Sequence, residues 1–414
     1  MTDGFYYQAC YTAAVAAGFN AGDAAAIARA ARYTEDCQGY TIPKQGDGGD
    51  ALLQVVFHYL PGDVPDILAQ MRPDFLSEAG AQSAWALRLA CRPGGFLLRQ
   101  VTDHARKGWQ ELLSKEQKCQ RLGIAAHIAL DTCLHMGFVG LDDPAVNGAA
   151  GILAAAPATP ESRRELLERA RTEPLAEVFQ MEPFSIEPKT GAVGCEAIGP
   201  LADTPSAVFT YESPWRREPL VSCVNPIRYA SAYLILKAMF QYIRGSRKDW
   251  TVEEEDEEAV VDLAVFFAGI PDEATLKIEW PLYFNWLPEP PSYEEPQLPR
   301  DETYLRHFEL QALEWRSLVT DACPALREYE RLLERAGRED APDQQEPDEP
   351  GPDEPEPNEL KPDEPGPDEP EPDEQGPDEQ EPDEPGSDEP GPEEPGPDGP
   401  ENAQTPENTG GQKE

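Results

Sequence analysis

The stretch from residue 121 to 140, RLGIAAHIALDTCLHMGFVG, constrains the fold more than any other part of the chain. Its apolar residues occur nearly all the way round a helix, which is typical of a helix buried inside a bundle. His127, Asp131 and His135 follow one another within it at four-residue spacing. Because four residues exceed one helical turn by only about 40°, their side chains form a stripe on one side of the helix. The sequence therefore predicts a buried helix that carries three ligand-type side chains on one face.

Two imidazoles and a carboxylate inside an apolar helix need partners, since buried polar groups are normally hydrogen-bonded or coordinated to a metal. Mixed nitrogen and oxygen ligands suit a divalent metal ion, zinc first, with iron and manganese as alternatives. A structural network of hydrogen bonds is the competing interpretation and stays open at this point. Cys133 lies off the stripe, and we assign it to the core.

Helical periodicity dominates the first 338 residues, so the predicted fold class is mainly α, a multi-helix bundle with irregular loop excursions. The predicted helices span residues 6–17, 24–33, 66–71, 79–91, 96–113, 121–140, 162–170, 228–244, 256–268 and 306–336. The apolar segment 52–60 could be a strand or an extended passage across the core. Residues 179–219, rich in Pro, Gly and Ser, are expected to form an ordered excursion over the bundle. An aromatic cluster at 280–286 lies between the last two predicted helices.

From residue 339 onward the composition changes to a repeating unit of Pro, Asp and Glu. This segment holds 30 Asp or Glu and two Lys, a net charge of −28 out of −45 for the whole chain. It cannot bury a core, and it is predicted to be disordered with polyproline II character. We predict one helical domain over residues 1–338 and a disordered acidic tail over 339–414. The tail is expected to be a solubilising appendage, and the alternative is an entropic bristle or a weak binding segment for cations or basic partners.

Charge and cysteine usage exclude several classes of protein. Residues 1–338 carry the remaining −17 of the net charge, and without clustered Lys and Arg the chain is predicted not to bind duplex nucleic acid. The eight cysteines are scattered with no CxxC pair, which indicates reduced thiols rather than a disulfide framework. The sequence shows no signal peptide and no apolar run of about 20 residues. We therefore expect a cytoplasmic protein without a membrane span.

Two residues outside the central stretch are candidates for further metal ligands. Asp36 follows the first predicted helical hairpin, and His58 precedes the Pro61-Gly62 turn. Either residue alone would more often be a cap or a surface residue. His104 and His307 fall on polar helix faces, and we interpret them as surface residues. The candidate metal ligands are Asp36, His58, His127, Asp131 and His135.

Four segments carry a resemblance to a known family: DGFYYQACYTAAVAAGF, AARYTEDC, VVFHYLPG and QRLGIAAHIALDTCLHMGF. Over about residues 1–245 the chain resembles a bacterial family catalogued as domain of unknown function 6765. The helical, His- and Asp-rich pattern of that family is in turn similar to the zinc-dependent phospholipase C and single-strand nuclease fold. The resemblance implies a metal site at the family's matching positions, which are Asp36, His58, His127, Asp131 and His135.

Several positions depart from the family's pattern. Gly4 and Phe5 replace Phe-His near the N-terminus, and Gln120 stands where the family usually has His. In the stretch GAVGCEAIGPLADTP, Cys195 and Pro200 occupy the places of two further histidines. A Cys195 thiolate could substitute for an imidazole, whereas Pro200 cannot. The resemblance therefore implies a reduced metal centre, in which one site survives and a second does not.

A bound divalent ion with an open position lowers the pKa of its water toward about 7 and polarises a phosphoryl or carbonyl oxygen. The predicted function is a metal-dependent hydrolase of a small molecule or a phosphoester. In this interpretation three histidines and a carboxylate hold the ion, and Asp36 or Asp131 bridges or acts as base. The alternative is a non-catalytic helical binding or structural protein derived from such an enzyme. An HD-type phosphohydrolase is disfavoured because no adjacent His-Asp pair occurs, and Gly-rich phosphate loops, GxSxG and HExxH motifs are also absent.

Overall fold

The computed structural model describes about three-fifths of the chain in separate ranges. They are residues 3–36, 49–111, 113–141, 143–147, 204–218, 220–250, 256–286 and 301–339, with short pieces at 153–155, 165, 168–169, 172–173 and 184–185. Backbone contacts divide the chain into two units, Met1–Gln344 and Gln345–Glu414. The predicted domain boundary after residue 338 stays a prediction. The tail and its predicted disorder lie outside the described residues.

The fold is mainly α, as the sequence predicts. In chain order the helices of the described residues are α1 (Asp3–Ala16), α2 (Ala21–Asp36), α3 (Gly49–Phe57), α4 (Val64–Gln70), α5 (Phe75–Leu87), α6 (Phe96–Gln110), α7 (Lys115–Leu134), α8 (Pro144–Asn147), α9 (Asn225–Arg244), α10 (Glu257–Ala268), α11 (Glu273–Tyr283), α12 (Glu302–Ala322) and α13 (Pro324–Glu339). Within the part of the chain that the structure describes, none of them is long and apolar enough to cross a membrane.

Helix α7 is the centre of the bundle and packs against α2, α6, α9 and α12. All of its residues from Cys119 to Leu134 are buried, which confirms the prediction of a buried helix. It begins with a capping box, in which Ser114 Oγ accepts from the Gln117 amide at 3.2 Å and the Gln117 side chain accepts from the Ser114 amide at 3.1 Å. It ends at Leu134, earlier than predicted, so that His135 is its C-cap.

Helices α2 and α7 run parallel and in close contact. Near their N-terminal ends Lys115 Nζ lies 2.6 Å from Asp23 Oδ1, and near the other end His127 Nε2 lies 3.6 Å from Glu35 Oε2. Between these points Gly123 lets the two backbones approach, because a Cβ placed on it would come within 2.7 Å of three atoms of α2. The pairing therefore fixes which residue of α2 faces His127.

Two predictions about individual elements are wrong. Segment 52–60 is not a strand or an extended passage, because residues 49–57 form α3. Its buried residues Leu53, Val56 and Phe57 recur at helical spacing, and their packing overrides the β-propensity of the segment. The single predicted helix at 306–336 is two helices. The helix is interrupted between α12 and α13 at Pro324, because proline lacks the N–H that a continuing helix needs.

The aromatic cluster at 280–286 belongs to α11 and to the turn that follows it. Trp280 is buried, and its indole N–H donates to Thr12 Oγ1 at 2.9 Å. Its ring centroid lies 4.7 Å from that of Phe284 and 6.1 Å from that of Phe5. The cluster therefore fastens α11 to α1, the helix that carries Tyr6.

A four-stranded antiparallel sheet lies between α8 and α9 in the chain, and the sequence reading did not predict it. Its strands are β1 (Leu153–Ala155), β2 (Phe184–Ser185), β3 (Val208–Glu212) and β4 (Leu220–Val224), in the order β2-β1-β3-β4. Phe209 pairs with Cys223 across β3 and β4, and both are buried. The expected excursion at 179–219 thus contains two strands, while its remaining residues before 204, and most of the predicted helix at 162–170, lie outside the described residues.

Short non-helical segments hold the C-terminal end of α7. The Cys91 amide donates to Phe138 O at 2.7 Å, and the Gly137 amide donates to Cys91 O at 2.8 Å. Arg228 of α9 is buried and donates to the carbonyls of Leu134 at 3.1 Å and Met136 at 3.2 Å. Since carbonyls at the end of a helix lack partners within the helix, Arg228 stabilises the turn that carries His135.

Candidate metal centre

Four potential metal ligands from three parts of the fold converge at one point. Glu35 lies in the last turn of α2, His58 directly follows α3, and His127 and Asp131 lie one turn apart on α7. One nitrogen or oxygen atom from each side chain falls within 4.8 Å of the others, so the group could hold a metal ion.

The separations of these atoms match the size of a metal's coordination sphere. His58 Nδ1 lies 2.9 Å from Asp131 Oδ2 and 3.1 Å from His127 Nε2. His127 Nε2 lies 3.2 Å from Asp131 Oδ2. Glu35 Oε2 is 3.6 Å from His127 Nε2 and 3.7 Å from His58 Nδ1. Tetrahedral zinc with bonds of about 2.0–2.1 Å holds its ligand atoms about 3.3 Å apart, so one small cation fits between these four atoms.

Burial and charge also suit a cation. The side chains of His127 and Asp131 are at most 1% exposed, whereas that of Glu35 is 24% exposed. Glu35 Oε2 is itself buried and has no hydrogen-bond partner among the described residues, a state that costs free energy unless something satisfies the oxygen. Metal binding requires both imidazoles to be neutral, and in that form the two carboxylates carry a charge of −2, which one divalent ion would neutralise.

The electrostatics of the cluster keep Asp131 ready to bind a cation. Burial alone would raise the pKa of Asp131, but the charges of His127 and His135 and the hydrogen bonds from His127 and His58 hold that pKa far below its ordinary value. Burial lowers the pKa of His58, yet its hydrogen bond to Asp131 and the charges of Asp131 and Glu35 outweigh this and raise the pKa. Asp131 is therefore ionised at neutral pH, and the raised pKa of His58 means that a metal has to compete with a proton there.

Tyr6 of α1 contacts Asp131 and His127 and orients them. It was not predicted from the sequence. Its hydroxyl donates to Asp131 Oδ1, which leaves Oδ2 for the other three side chains. Its ring stacks on that of His127, with centroids 4.2 Å apart and planes 24° apart. The only available signal was its place in the segment DGFYYQAC, which the family resemblance includes.

We predict that Tyr6→Phe weakens metal binding by about tenfold or more, because partners that orient a ligating carboxylate or imidazole typically contribute 10- to 100-fold to affinity. The phenyl ring keeps the stacking on His127 and removes only the hydroxyl. Competition with a chromophoric zinc chelator measures the change. Tyr11→Phe, on the same helix, is the matched control and should bind like the wild type. Equal affinities for Tyr6→Phe and the wild type would contradict the role given to this hydroxyl.

The structure brings His135 close to the cluster without adding an atom to it. Its Nδ1 lies 2.8 Å from the backbone oxygen of His58 and 3.9 Å from Asp131 Oδ2. Its ring stacks on Tyr59 with centroids 4.5 Å apart. The hydrogen bond to the His58 carbonyl holds His58 in place, and a role for His135 as a ligand stays a prediction.

Glu35 is the carboxylate of α2 that belongs to the cluster, whereas the sequence predicts its neighbour Asp36 as the ligand. Neighbouring residues of a helix point about 100° apart, and the partner of His127 on α2 is Glu35. The side chain of Asp36 lies outside the described residues, so its role as a ligand stays a prediction. Cys195 and Pro200 also lie outside them.

Three further side chains lie away from the cluster: His104, His307, and Gln120, which stands where the family usually has His. His104 packs edge-on against Trp315, and His307 Nδ1 lies 3.2 Å from Glu116 Oε1. Gln120 is buried, and its amide donates to Tyr304 O at 3.1 Å. A cavity of about 610 Å³ opens between the N-terminal parts of α2 and α7, and none of the four cluster residues lines it.

Together the fold and the cluster define a mainly helical protein with a buried His, Asp and Glu group that could hold a metal ion. The sequence model of a family of unknown function (DUF6765) matches residues 1–280, and the chain belongs to this family. No curated protein and no solved structure matches the chain. The implied likeness to the zinc-dependent phospholipase C fold therefore has no support from the comparisons.

Proposed function

We propose that the protein is a metal-dependent hydrolase, with zinc as the ion and phosphoesters as the substrate class. In this proposal His58, His127 and Asp131 hold the ion, and Glu35 is the side chain that yields its position to water. The proposal rests on one observation: Glu35 lies farther from the imidazoles than the other ligand atoms do, and its side chain is more exposed.

Glu35 is set apart from the other three residues by distance and by exposure. The atoms of His58, His127 and Asp131 lie 2.9–3.2 Å from one another, whereas Glu35 Oε2 lies 3.6 and 3.7 Å from the two imidazoles. The side chain of Glu35 is also the most exposed of the four. Catalytic zinc sites keep three protein ligands and one open position, and the Glu35 side of the cluster is where solvent would reach such a position.

The residues have distinct tasks in this proposal. A bound divalent ion would supply Lewis acidity, which lowers the pKa of a water toward about 7 and polarises a phosphoryl oxygen. Glu35 Oε2 would accept the proton from the attacking water, as a general base must lie within hydrogen-bond reach of that proton. Tyr6 holds Asp131 in its ligating orientation. The six described cysteines are free and buried, which supports placing the activity in the reducing cytoplasm.

We predict that Glu35→Gln retains bound metal within about twofold and lowers phosphoester hydrolysis by about 100-fold, since a lost general base typically contributes 10²- to 10⁴-fold. Mass spectrometry measures the metal, and release of p-nitrophenol from mono- and bis-p-nitrophenyl phosphate measures hydrolysis. The assays use protein loaded separately with zinc, iron(II) and manganese(II). Glu258→Gln, on the exposed face of α10, is the control and should behave like the wild type.

The alternative is a non-catalytic centre in which all four side chains coordinate the ion. It is favoured by the convergence of four ligand-type atoms within 4.8 Å of one another, because closed sites with four protein ligands are typical of structural zinc. The same variant separates the two functions. If Glu35→Gln loses both the metal and thermal stability, and the metal-loaded wild type hydrolyses neither ester, the hydrolase proposal is wrong and the structural one stands.

A further inference from the structure

Arg216 lies on a rigidly held segment between β3 and β4. Its backbone forms an antiparallel bridge with Met71. On either side, the Arg72 amide donates to Trp215 O at 2.8 Å and the Arg217 amide donates to Gln70 O at 3.0 Å. The position of the Arg216 backbone is therefore set by the fold.

The guanidinium of Arg216 forms no ion pair with a carboxylate among the described residues. Its carbon lies 5.0 Å from the centroid of the Trp215 ring, and the residue is half-buried. Its Nε is fully buried and has no hydrogen-bond partner within the part of the chain that the structure describes. Burying a charged donor without a partner is unfavourable, so this side chain is expected to gain free energy from an anion.

The surroundings leave room for that anion. A cavity of about 390 Å³ is lined by Ala69, Gln70, Arg216, Arg217 and Glu218. The lining residues include two arginines and one glutamate, with a net charge of +1. Arg217 uses its Nε to donate to Met71 O at 3.1 Å, which leaves its two terminal nitrogens for a ligand.

Gly137 lies beside the guanidinium of Arg216. A Cβ on Gly137 would lie 3.0 Å from Arg216 Nη2, and the residue has a φ of +96°, a conformation that favours glycine. A side chain there would press on the guanidinium and would need an unfavourable backbone conformation, so glycine suits the turn after α7 beside Arg216.

We infer that Arg216 and Arg217 form a binding site for a phosphate group, either free phosphate or the phosphate of a monoester. The planar guanidinium presents donors in a fork that matches two phosphate oxygens. A tetrahedral phosphate offers more than one pair of oxygens and can therefore accept from both guanidinium groups, whereas a carboxylate offers a single pair. The inference does not depend on the proposed hydrolase, because none of the four cluster residues lines this cavity.

The test is calorimetric titration of the full-length protein with sodium phosphate at pH 7.5, at ionic strength held constant with sodium chloride. We expect one saturable site. Arg216→Gln should weaken it at least about tenfold, since it removes a charge-assisted hydrogen-bond donor from the anion. Arg216→Lys should weaken it less, because it keeps the charge and loses the fork. Arg99→Gln, an exposed arginine of α6, should bind phosphate like the wild type.

A second readout separates a ligand-binding arginine from a purely structural one. In phosphate-free buffer Arg216→Gln should unfold at the same temperature as the wild type or higher, because it removes an unpaired charge. Added phosphate should then stabilise only the wild type. Glucose 6-phosphate as the titrant distinguishes a phosphomonoester site from a site for free phosphate, and tighter binding of either one supports the inference.

Three results would overturn the inference. The first is no saturable binding of phosphate or glucose 6-phosphate tighter than about 10 mM, which is below 3 kcal/mol of binding free energy. The second is acetate binding as tightly as phosphate. The third is phosphate binding that persists in Arg216→Gln but is lost in His127→Ala, which would place the anion at the metal centre.

Discussion

Replacing His127 by alanine is expected to remove the bound metal almost completely. His127 Nε2 lies 3.1 Å from His58 Nδ1 and 3.2 Å from Asp131 Oδ2, so no other atom of the cluster can take its place. We expect about one divalent ion per wild-type chain and less than about a tenth of that in His127→Ala, as measured by inductively coupled plasma mass spectrometry. His307→Ala, a histidine remote from the cluster, should retain the wild-type content.

Thermal unfolding gives an independent measurement of the same effect. A ligand that binds only the folded state at 100 times its dissociation constant stabilises that state by about 2.7 kcal/mol. Added zinc should therefore raise the melting temperature of the wild type and of His307→Ala, and leave that of His127→Ala unchanged. A wild-type protein that is purified without metal and ignores added zinc, iron and manganese would falsify the metal centre.

Replacing Gly123 by alanine is expected to destabilise the protein by about 3 kcal/mol, the upper part of the usual range for overpacking a core. The new Cβ would lie 2.5 Å from Ala30 Cβ, 2.6 Å from Ile27 O and 2.7 Å from Ala31 N. Two of these are backbone atoms of α2, so a side-chain rotation cannot relieve the contact. Urea unfolding followed by circular dichroism measures the change.

Gly22→Ala is the matched control for this substitution. Gly22 is exposed in the first turn of α2, and a Cβ there would meet its nearest neighbour, Asn20 Oδ1, at an ordinary 3.4 Å. Because alanine favours helix by up to about 1 kcal/mol over glycine, this variant should be as stable as the wild type or more so. If Gly123→Ala unfolds at the same urea concentration as Gly22→Ala, the close contact between α2 and α7 does not constrain the protein.

The sequence predicts the central helix well and the periphery of the site less well. Four-residue spacing on an apolar helix placed His127 and Asp131 on one buried face, and the structure has them there. The same spacing did not reveal that α7 ends at Leu134, because the end of a helix depends on packing and capping as well as on periodicity. His135 therefore lies at the cap.

Glu35 and Tyr6 show what residue patterns could not decide. Choosing between Glu35 and Asp36 requires the rotation of α2 relative to α7, and that rotation is set by the contact at Gly123 rather than by the local sequence. Tyr6 reaches Asp131 from a helix 125 residues away in the chain. Long-range pairs of this kind leave no periodic signal in one sequence.

The sheet was missed for a different reason. Residues 208–212 alternate between partly exposed and buried positions, with Phe209 and Tyr211 buried. The alternation is short and lies in a stretch rich in Pro and Gly, where it competes with turn signals. A strand also needs a partner, and β3 pairs with β1 some 55 residues earlier.

The contact at Gly123 also limits how the genes of related proteins can change in length. Inserting or deleting one residue between this glycine and His127, or between Ala30 and Glu35, would turn the ligand by about 100° and shift it by about 1.5 Å along its helix. Such a change would carry one side chain out of reach of the other three. Relatives that retain the metal centre should therefore keep both intervals at constant length, even where the residues within them differ.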